Sequence, residues 1–195
     1  MDEIQALKGK QILPYLDAFG EMRTTVFREY PYLYESDSGN EKTYLGNYAK
    51  SDESLFIIAK KQGQLIGCLS SIPFLHVSHE SWAKILQNYL PIDTVFYLGD
   101  MLVLKEYRGQ RVGTKMYDLF EDQVKKQKKF SKIAFLEVVR PKNDPKRPKG
   151  YKSLDPFWEK RGYVKHPEFI NHIPYREIGD STETDHTFLF QTKDI

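Results

Sequence analysis

Cysteine is almost absent from this sequence, and metal-ligand motifs are missing. The single cysteine among 195 residues, Cys68, excludes an internal disulfide framework and suits a reducing compartment. His76 and His79 lie three residues apart, but two histidines without further ligands do not make a metal site. Cys68 also lacks a recognisable histidine partner, so we interpret it as a small core residue. We expect a protein without a bound metal.

Long apolar runs and a dominant charge sign are missing too. No apolar stretch approaches the roughly 20 residues that a membrane-spanning helix needs. The first residues lack the basic and apolar regions of a secretion signal. The 29 Lys and Arg residues nearly balance the 27 Asp and Glu residues, which leaves a formal net charge of +2. The net charge therefore provides no overall attraction to nucleic acid or to a membrane. We expect a cytoplasmic protein with neither as a partner.

The pattern of apolar residues predicts one domain, residues 1–195, of mixed α and β structure. The length suits one well-buried domain, and we find no internal repeat and no linker. The last strand, His186–Gln191, has two possible partners, Tyr163–Lys165 and Tyr175–Ile178. The other predicted strands are Glu3–Leu7, Ser54–Lys61, Gln64–Ile72, Val95–Leu104 and Lys132–Val139, and the predicted helices are Pro14–Glu29, Asn40–Tyr48, a helix that begins at Val112, and Ser153–Arg161.

One further helix is predicted between the third and fourth strands. The segment between Pro73 and Pro91 carries apolar residues at helical spacing. These residues are Trp82, Ile85, Leu86, Tyr89 and Leu90.

The stretch from Thr94 to Lys128 organises the chain as strand, basic glycine loop and helix. The first N–H groups of a helix have no intrahelical partner, so together with the helix dipole they form an anion site. Gly109 and Gly113 let phosphate oxygens approach the backbone, and Arg108 and Arg111 can grip a diphosphate. The loop lacks the Gly-Lys-Ser/Thr ending of a Walker loop and the G-x-G-x-x-G of a dinucleotide fold. It therefore predicts a phosphate cradle of another kind.

Two short motifs resemble the GNAT N-acetyltransferase superfamily. The segment Arg108–Gly113 matches its Gln/Arg-x-x-Gly-x-Gly/Ala signature at the first and last positions, while Arg111 replaces the first motif glycine. The downstream segment Phe157–Tyr163 resembles the family's Phe/Leu-Tyr-Glu-Lys-x-Gly-Phe signature. The resemblance implies the acyl-CoA N-acyltransferase fold, an α+β fold with a mixed, twisted central sheet flanked by helices. The extra helix before the fourth strand is then an insertion.

The resemblance also implies acetyl-CoA as the co-substrate. Gly99, inside a strong strand pattern, predicts a bulge or a close backbone approach. In the family this strand splays from its neighbour, so pantetheine is expected along Met101–Leu104, with a backbone N–H near the acetyl oxygen. The alternative is a glycine tolerated for packing. The expected donor-binding residues are Met101, Leu102, Val103, Arg108, Gly109, Gln110, Arg111, Val112, Gly113 and Thr114.

Direct acetylation of an amine requires a proton acceptor, and the departing thiolate benefits from a proton donor. Asp100 and Glu137 are the candidate bases, with a strand-edge polar residue or an ion pair as the alternative for each. The family's usual acid is a tyrosine where this chain has Trp158, which cannot donate usefully to a thiolate. The remaining candidates for the general acid are Tyr151, Tyr163 and water. The alternative is that Trp158, Tyr151 and Tyr163 are all packing residues.

The resemblance places the acceptor groove at an aromatic segment, Tyr30, Tyr32 and Tyr34, and at the inserted helix, His76–Leu90. Acidic neighbours would let it hold an ammonium group, and the alternative is a packed loop with solvated acids. The leading function is an acetyl-CoA-dependent N-acetyltransferase of unknown acceptor. A non-catalytic acyl-CoA sensor of the same fold is the alternative, and nucleic-acid binding through the lysine runs is a third. The oligomeric state is left open, a homodimer included.

Overall fold

The structure is a computed structural model that describes residues 3–36, 38–77, 84, 87 and 90–195. These residues form one mixed sheet of seven strands in the order β1-β2-β3-β4-β5-β7-β6. The pair β4 and β5 is parallel, and the other neighbouring pairs among these strands are antiparallel. The strands are β1 Glu3–Lys8, β2 Leu55–Lys61, β3 Gln64–Pro73, β4 Val95–Val103, β5 Lys132–Val138, β6 Val164–Tyr175 and β7 Thr184–Asp194.

Helices cover both faces of this sheet. Within the described ranges they are α1 Leu16–Phe27, α2 Ser38–Ala49, α3 Val112–Lys126 and α4 Asp155–Lys160, with short 3-10 helices at Gly9–Tyr15, Phe74–His76, Ile92–Thr94 and Lys105–Tyr107. None of the helices in the described part of the chain is long and apolar enough to cross a membrane.

The alternation of β2 shows how the sequence separates two cores. Phe56 and Ile58 pack with α1 and α2 on one face, whereas Leu55 and Ile57 pack with α3 and α4 on the other. Successive side chains of a strand point to opposite faces, so one apolar strand serves both clusters. We call these the α1/α2 face and the α3/α4 face.

The central strand β4 has an irregular course. It pairs with β5 only over Val95–Tyr97, the last pair being Tyr97 with Ala134, and the two strands separate beyond that point. On its other side, Ser70 lies opposite Asp100 and Ser71 opposite Leu98, so Gly99 is the extra residue of a β-bulge. The bulge and the gap between β4 and β5 begin within a few residues of each other. This is the strand geometry that the resemblance implied.

The predicted fold class is confirmed, with differences in detail. β6 runs over twelve residues and pairs with β7 at both segments proposed as alternatives, through Val164 at one end and Tyr175 at the other. Its prolines and its many exposed positions hid it from pattern analysis. The short helix Gly9–Tyr15 was not predicted. The predicted insertion helix, with Trp82, Ile85, Leu86 and Tyr89, lies outside the described residues.

Candidate active site

The loop after β4 presents backbone N–H groups at the start of α3. The N–H of Lys115 donates to the carbonyl of Arg111 at 3.1 Å, so the N–H groups of residues 112–114 come before the first N–H that has a helical acceptor. Gly109 has φ +74°, a conformation that favours glycine. An added Cβ at Gly113 would meet only Val103 and Met101, at 3.7 and 3.8 Å. Packing within the chain therefore does not require glycine at position 113, and the backbone is left open to an anion.

The two arginines of the loop behave differently. Arg108 forms a bidentate ion pair with Glu29 at the end of α1, at 2.7 and 2.9 Å, and its Nε donates to the carbonyl of Val103 at 2.9 Å. In the structure Arg108 is therefore engaged by Glu29, and its expected contact with a diphosphate stays a prediction. Arg111 is exposed, with φ +63° at the N-cap of α3, and forms no ion pair with the described residues. It is the guanidinium that is available to an anion.

Asp100 lies in a buried charge cluster on the α1/α2 face. Arg23 of α1 forms ion pairs with both Asp100 and Glu41 of α2, and Ser70 Oγ donates to Asp100 Oδ2 at 2.5 Å. Burial lowers the pKa of Arg23, but the Asp100 and Glu41 carboxylates raise it above its ordinary value overall. Arg23 therefore stays charged, and the position of Asp100 matches the ion-pair alternative rather than a free base.

Arg23 and Glu41 were not predicted as site residues. Arg23 lies on the apolar face of α1, between Phe19 and Phe27, and its guanidinium lies 4.3 Å from the ring centre of Tyr44. A charged residue in an apolar helical stripe is the signal that could have identified it.

Glu137 lies on the opposite face from Asp100. On β5 it follows the last residue paired with β4 by three positions and projects to the side of Phe135 and α4. Its carboxylate accepts from Gln191 Nε2 at 2.6 Å and pairs with Lys165 Nζ at 2.9 Å. Burial raises the pKa of Glu137, Lys165 lowers it and Asp155 raises it further, so the net direction is upward. A partly exposed carboxyl of raised pKa beside the gap has the properties of a general base.

Trp158 and Tyr163 lie in an aromatic core on the α3/α4 face. Trp158 is 6% exposed and packs on Phe135 with ring centres 4.5 Å apart. The hydroxyls of Tyr163 and Tyr117 are 3.0 Å apart inside this buried cluster. The aromatic residues of the downstream signature thus pack in the core. The alternative of Tyr163 as the general acid loses its support.

Tyr151 is brought to the loop that carries the predicted acceptor residues. Its ring lies edge-on to Tyr30 with centres 4.7 Å apart. Burial raises the pKa of Tyr151, and the nearby Tyr30 and Glu137 raise it further. Tyr151 therefore lies near one of the two candidate bases and on the aromatic segment.

The aromatic loop, residues 29–36, is held by distant parts of the chain. Arg140, just after β5, donates from Nε to the carbonyl of Pro31 at 2.7 Å and from Nη2 to that of Tyr32 at 2.9 Å. The Tyr175 hydroxyl also donates to the Tyr32 carbonyl, at 2.8 Å. Ile178 N–H bonds to the Leu33 carbonyl at 2.8 Å. Arg140 was not predicted, because its role depends on residues more than a hundred positions away.

The three predicted acceptor tyrosines separate in space. Tyr30 faces Tyr151, Tyr32 packs between Phe27 and Phe188, and Tyr34 packs edge-on to Tyr175 at 5.3 Å. Tyr34 also lines a cavity of about 520 Å³, whose other walls include Glu35, Arg176 and Glu183. In the described part of the chain no group of three His, Cys, Asp or Glu residues is arranged to hold a metal ion.

Comparison with known families and sequences gives one family-level match. The model described as the acetyltransferase (GNAT) family matches residues 19–163. A search of curated protein sequences finds no match.

Solved structures share the fold at low sequence identity. A ribosomal-protein-alanine N-acetyltransferase from Brucella melitensis has a TM-score of 0.64 and 14% identity, and 99% of each chain is covered. An acetyltransferase of the GNAT family from Streptococcus pneumoniae has a TM-score of 0.59 and 13% identity, with 99% of this chain and 100% of that chain covered. An aminoglycoside 6'-N-acetyltransferase complexed with coenzyme A has a TM-score of 0.58 and 13% identity, with 97% and 96% covered.

Proposed function

Because this chain belongs to the acetyltransferase (GNAT) family, we propose that it transfers an acetyl group from acetyl-CoA to an amine by direct attack in a ternary complex. The observation that carries the proposal is the β4–loop–α3 unit, whose open amides follow directly on a strand that has left its parallel neighbour. Such a unit can hold a diphosphate at the helix N-terminus and an extended pantetheine arm along the strand. Acetyl-CoA would supply the activated acyl group.

The donor site proposed here keeps most of the predicted residues. The backbone of Gly109, Gln110 and residues 112–114 faces the diphosphate, with Arg111 as the available guanidinium. Met101, Leu102 and Val103 line the gap along which the pantetheine arm lies. The guanidinium of Arg108 is held by Glu29 and by the carbonyl of Val103, so it reaches the diphosphate only by leaving Glu29.

Glu137 is the proposed general base. A lysine-like amine has a pKa of about 10.4, so a proton must leave it before or during attack. Glu137 has the partly exposed, raised-pKa carboxyl that this step requires. Asp100 is held by Arg23 and Ser70, and in this role it fixes the bulged strand. Tyr151 is proposed to contact the acceptor or the leaving group beside Tyr30.

The acceptor is proposed to enter at the aromatic loop and to carry an amine. Tyr30, Tyr32 and Tyr34 offer aromatic surface there, and the cavity beside Tyr34 gives room for the rest of the molecule. We also propose that the chain is one domain and acts in the cytoplasm. The single sheet to which the helices on both faces pack supports the first statement.

Calorimetric titration with acetyl-CoA and CoA tests the proposal. Wild type is expected to bind both, and Gly113→Glu is expected to abolish binding because a carboxylate then occupies the anion site. Gly46→Glu on α2 is the matched control, since an added Cβ at Gly46 meets nothing within 4 Å. No heat with either nucleotide in folded wild type would contradict the proposal.

Thiol release measured over a panel of amines separates the enzyme from the acyl-CoA sensor. An enzyme releases CoA thiol in proportion to at least one amine. Tight CoA binding without release over small amines, peptides and lysine side chains would favour the sensor.

A further inference from the structure

The gap between β4 and β5 lacks the proton-donating tyrosine that the downstream signature would supply. Trp158 occupies that position, and both Trp158 and Tyr163 are buried in the aromatic core of the α3/α4 face. The charged groups beside the gap are already paired, Asp100 with Arg23 and Glu137 with Lys165. Both cations of these pairs are engaged by carboxylates, so an uncommitted hydroxyl near the gap is the better donor to a leaving atom.

Tyr32 packs against the cluster of Val138, Tyr175 and Phe188, beside the part of β5 that no longer pairs with β4. It also packs against the buried cluster that contains Tyr97 and Ala134, the last residues paired between β4 and β5. Its ring centre lies 4.6 Å from that of Phe27 and 6.5 Å from that of Phe188. Burial raises the pKa of the Tyr32 hydroxyl, and Asp100 and Glu137 both raise it further. The carboxylates of both separating strands therefore favour the protonated form of the Tyr32 hydroxyl.

The backbone of Tyr32 is fixed while its hydroxyl is left uncommitted. Its carbonyl accepts from Arg140 Nη2 at 2.9 Å and from Tyr175 Oη at 2.8 Å, and its N–H bonds to the carbonyl of Glu29 at 3.1 Å. Among the described residues these bonds are all to the backbone of Tyr32, and none involves Oη. A rigidly held hydroxyl with a free donor is suited to meet a substrate atom.

We propose that Tyr32 Oη donates a hydrogen bond to the sulfur of the leaving thiolate, in place of the tyrosine that Trp158 has displaced. This inference rests on the proposed function. The raised pKa keeps the Tyr32 hydroxyl protonated, so it stabilises the developing negative charge without becoming ionised itself.

The protons balance without a further reactant. Glu137 accepts the proton that the amine loses while the new N–C bond forms. Tyr32 donates its hydrogen bond as the C–S bond breaks, and the electron pair of that bond stays on sulfur. Glu137 then passes its proton through water to the sulfur, which restores both residues for the next turnover.

Tyr151 is the rival for this role, because its ring also lies near Glu137. Its neighbours are Tyr30 and the guanidinium of Arg147, which lies 5.2 Å from its ring centre. Unlike Tyr32, it does not pack against the cluster that contains the last β4–β5 pair. Of the two tyrosines, Tyr32 is thus the one that packs against a core cluster with residues from both separating strands.

The test compares CoA with desulfo-CoA, in which hydrogen replaces the thiol. Wild type, Tyr32→Phe and Tyr151→Phe are titrated with both ligands by calorimetry. Wild type is expected to prefer CoA about fivefold, which corresponds to about one net hydrogen bond. Tyr32→Phe should bind desulfo-CoA as wild type does, lose the preference for CoA, and show a kcat at least about tenfold lower. Tyr151→Phe should keep the preference.

Each other outcome has a defined meaning. A preference that persists in Tyr32→Phe, or that disappears only in Tyr151→Phe, overturns the assignment. If folded wild type binds neither ligand, the proposed function fails instead. Arg140→Gln is a second variant that leaves the hydroxyl in place but weakens the anchor of the loop. It should reduce the preference partly, and a full wild-type preference in Arg140→Gln would overturn the claim that the anchored loop positions the hydroxyl.

Discussion

Glu137 shows how a neighbouring cation sets the behaviour of a candidate base. Its pKa is raised above the ordinary value for glutamate of about 4.3 because burial outweighs the opposing effect of Lys165. The base must be deprotonated to act, so the pH profile of kcat/KM should have an ascending limb. The apparent pKa of this limb is expected to lie above the ordinary value for glutamate. Removing Lys165 takes away the cation that favours the charged carboxylate, so Lys165→Met should move the limb to still higher pH.

A pH–rate profile of wild type, Lys165→Met, Glu137→Gln and Lys142→Met checks this prediction. Glu137→Gln should remove the limb and reduce kcat by about 100-fold or more, the usual contribution of a general base. Lys142→Met, at an exposed lysine of the loop after β5, is the control and should leave the limb unchanged. A limb that survives in Glu137→Gln would assign the base elsewhere.

The roles of single residues were only partly predictable from the sequence. The order of strand, loop and helix follows from local patterns, so Gly109 and residues 112–114 could be located in advance. The choice between Asp100 and Glu137 could not, because it depends on Arg23 from a helix that is 77 positions away from Asp100. A local pattern carries no information on which distant cation pairs with which carboxylate.

At the scale of elements, the bulge of β4 depends on the missing side chain of Gly99. An added Cβ would lie 2.7 Å from Tyr48 Oη and 3.0 Å from both Ser70 Oγ and Tyr44 Oη. Gly99→Ala is therefore expected to lower the free energy of unfolding by about 1–3 kcal/mol, the usual cost of overpacking. It should also reduce turnover, because relief of the contact displaces the strand beside Asp100.

Chemical denaturation of matched variants tests this cause. Tyr48→Phe in the Gly99→Ala background removes the nearest contact atom and should restore part of the lost stability. Gly46→Ala, in helix α2 with nothing near its added Cβ, should instead stabilise the protein by up to about 1 kcal/mol. Equal losses at both glycines would contradict a steric origin at Gly99.

The elements themselves were predictable where their apolar pattern is strong. α3 buries Val112, Met116, Phe120 and Val124, which recur at helical spacing, and β2 is apolar on both faces. β6 is an edge strand with alternating exposed positions and two prolines, so its pattern is weak although its pairing with β7 is extensive. Strand pairing over a long edge is a tertiary property that a local pattern does not encode.

At the scale of the whole molecule, the aromatic loop joins the proposed acceptor site to the proposed donor site. Glu29 at its start pairs with Arg108 of the donor loop, 79 positions away, and Arg140 holds its centre from 109 positions away at Pro31. Its end is bonded to the segment after β6 through Leu33 and Ile178. The two halves of the proposed site are thus connected by contacts between segments far apart in sequence.

The Glu29–Arg108 ion pair makes this connection testable through the affinity for CoA. Both side chains are more than a third exposed, so solvent screening limits the pair to about 1 kcal/mol or less. A bound diphosphate competes with Glu29 for Arg108, and Glu29→Gln frees the guanidinium for the anion. The variant is therefore expected to bind CoA about two- to fivefold more tightly at low ionic strength, with the gain disappearing near 1 M salt, where the Debye length is about 3 Å.

Glu35→Gln is the matched control, because it removes the same charge from the same loop but from a pair with Arg28. Calorimetry at the two salt concentrations distinguishes the outcomes. An equal gain in both variants would reflect general charge, whereas weaker CoA binding in Glu29→Gln would mean that Glu29 positions Arg108 for the donor instead of competing with it.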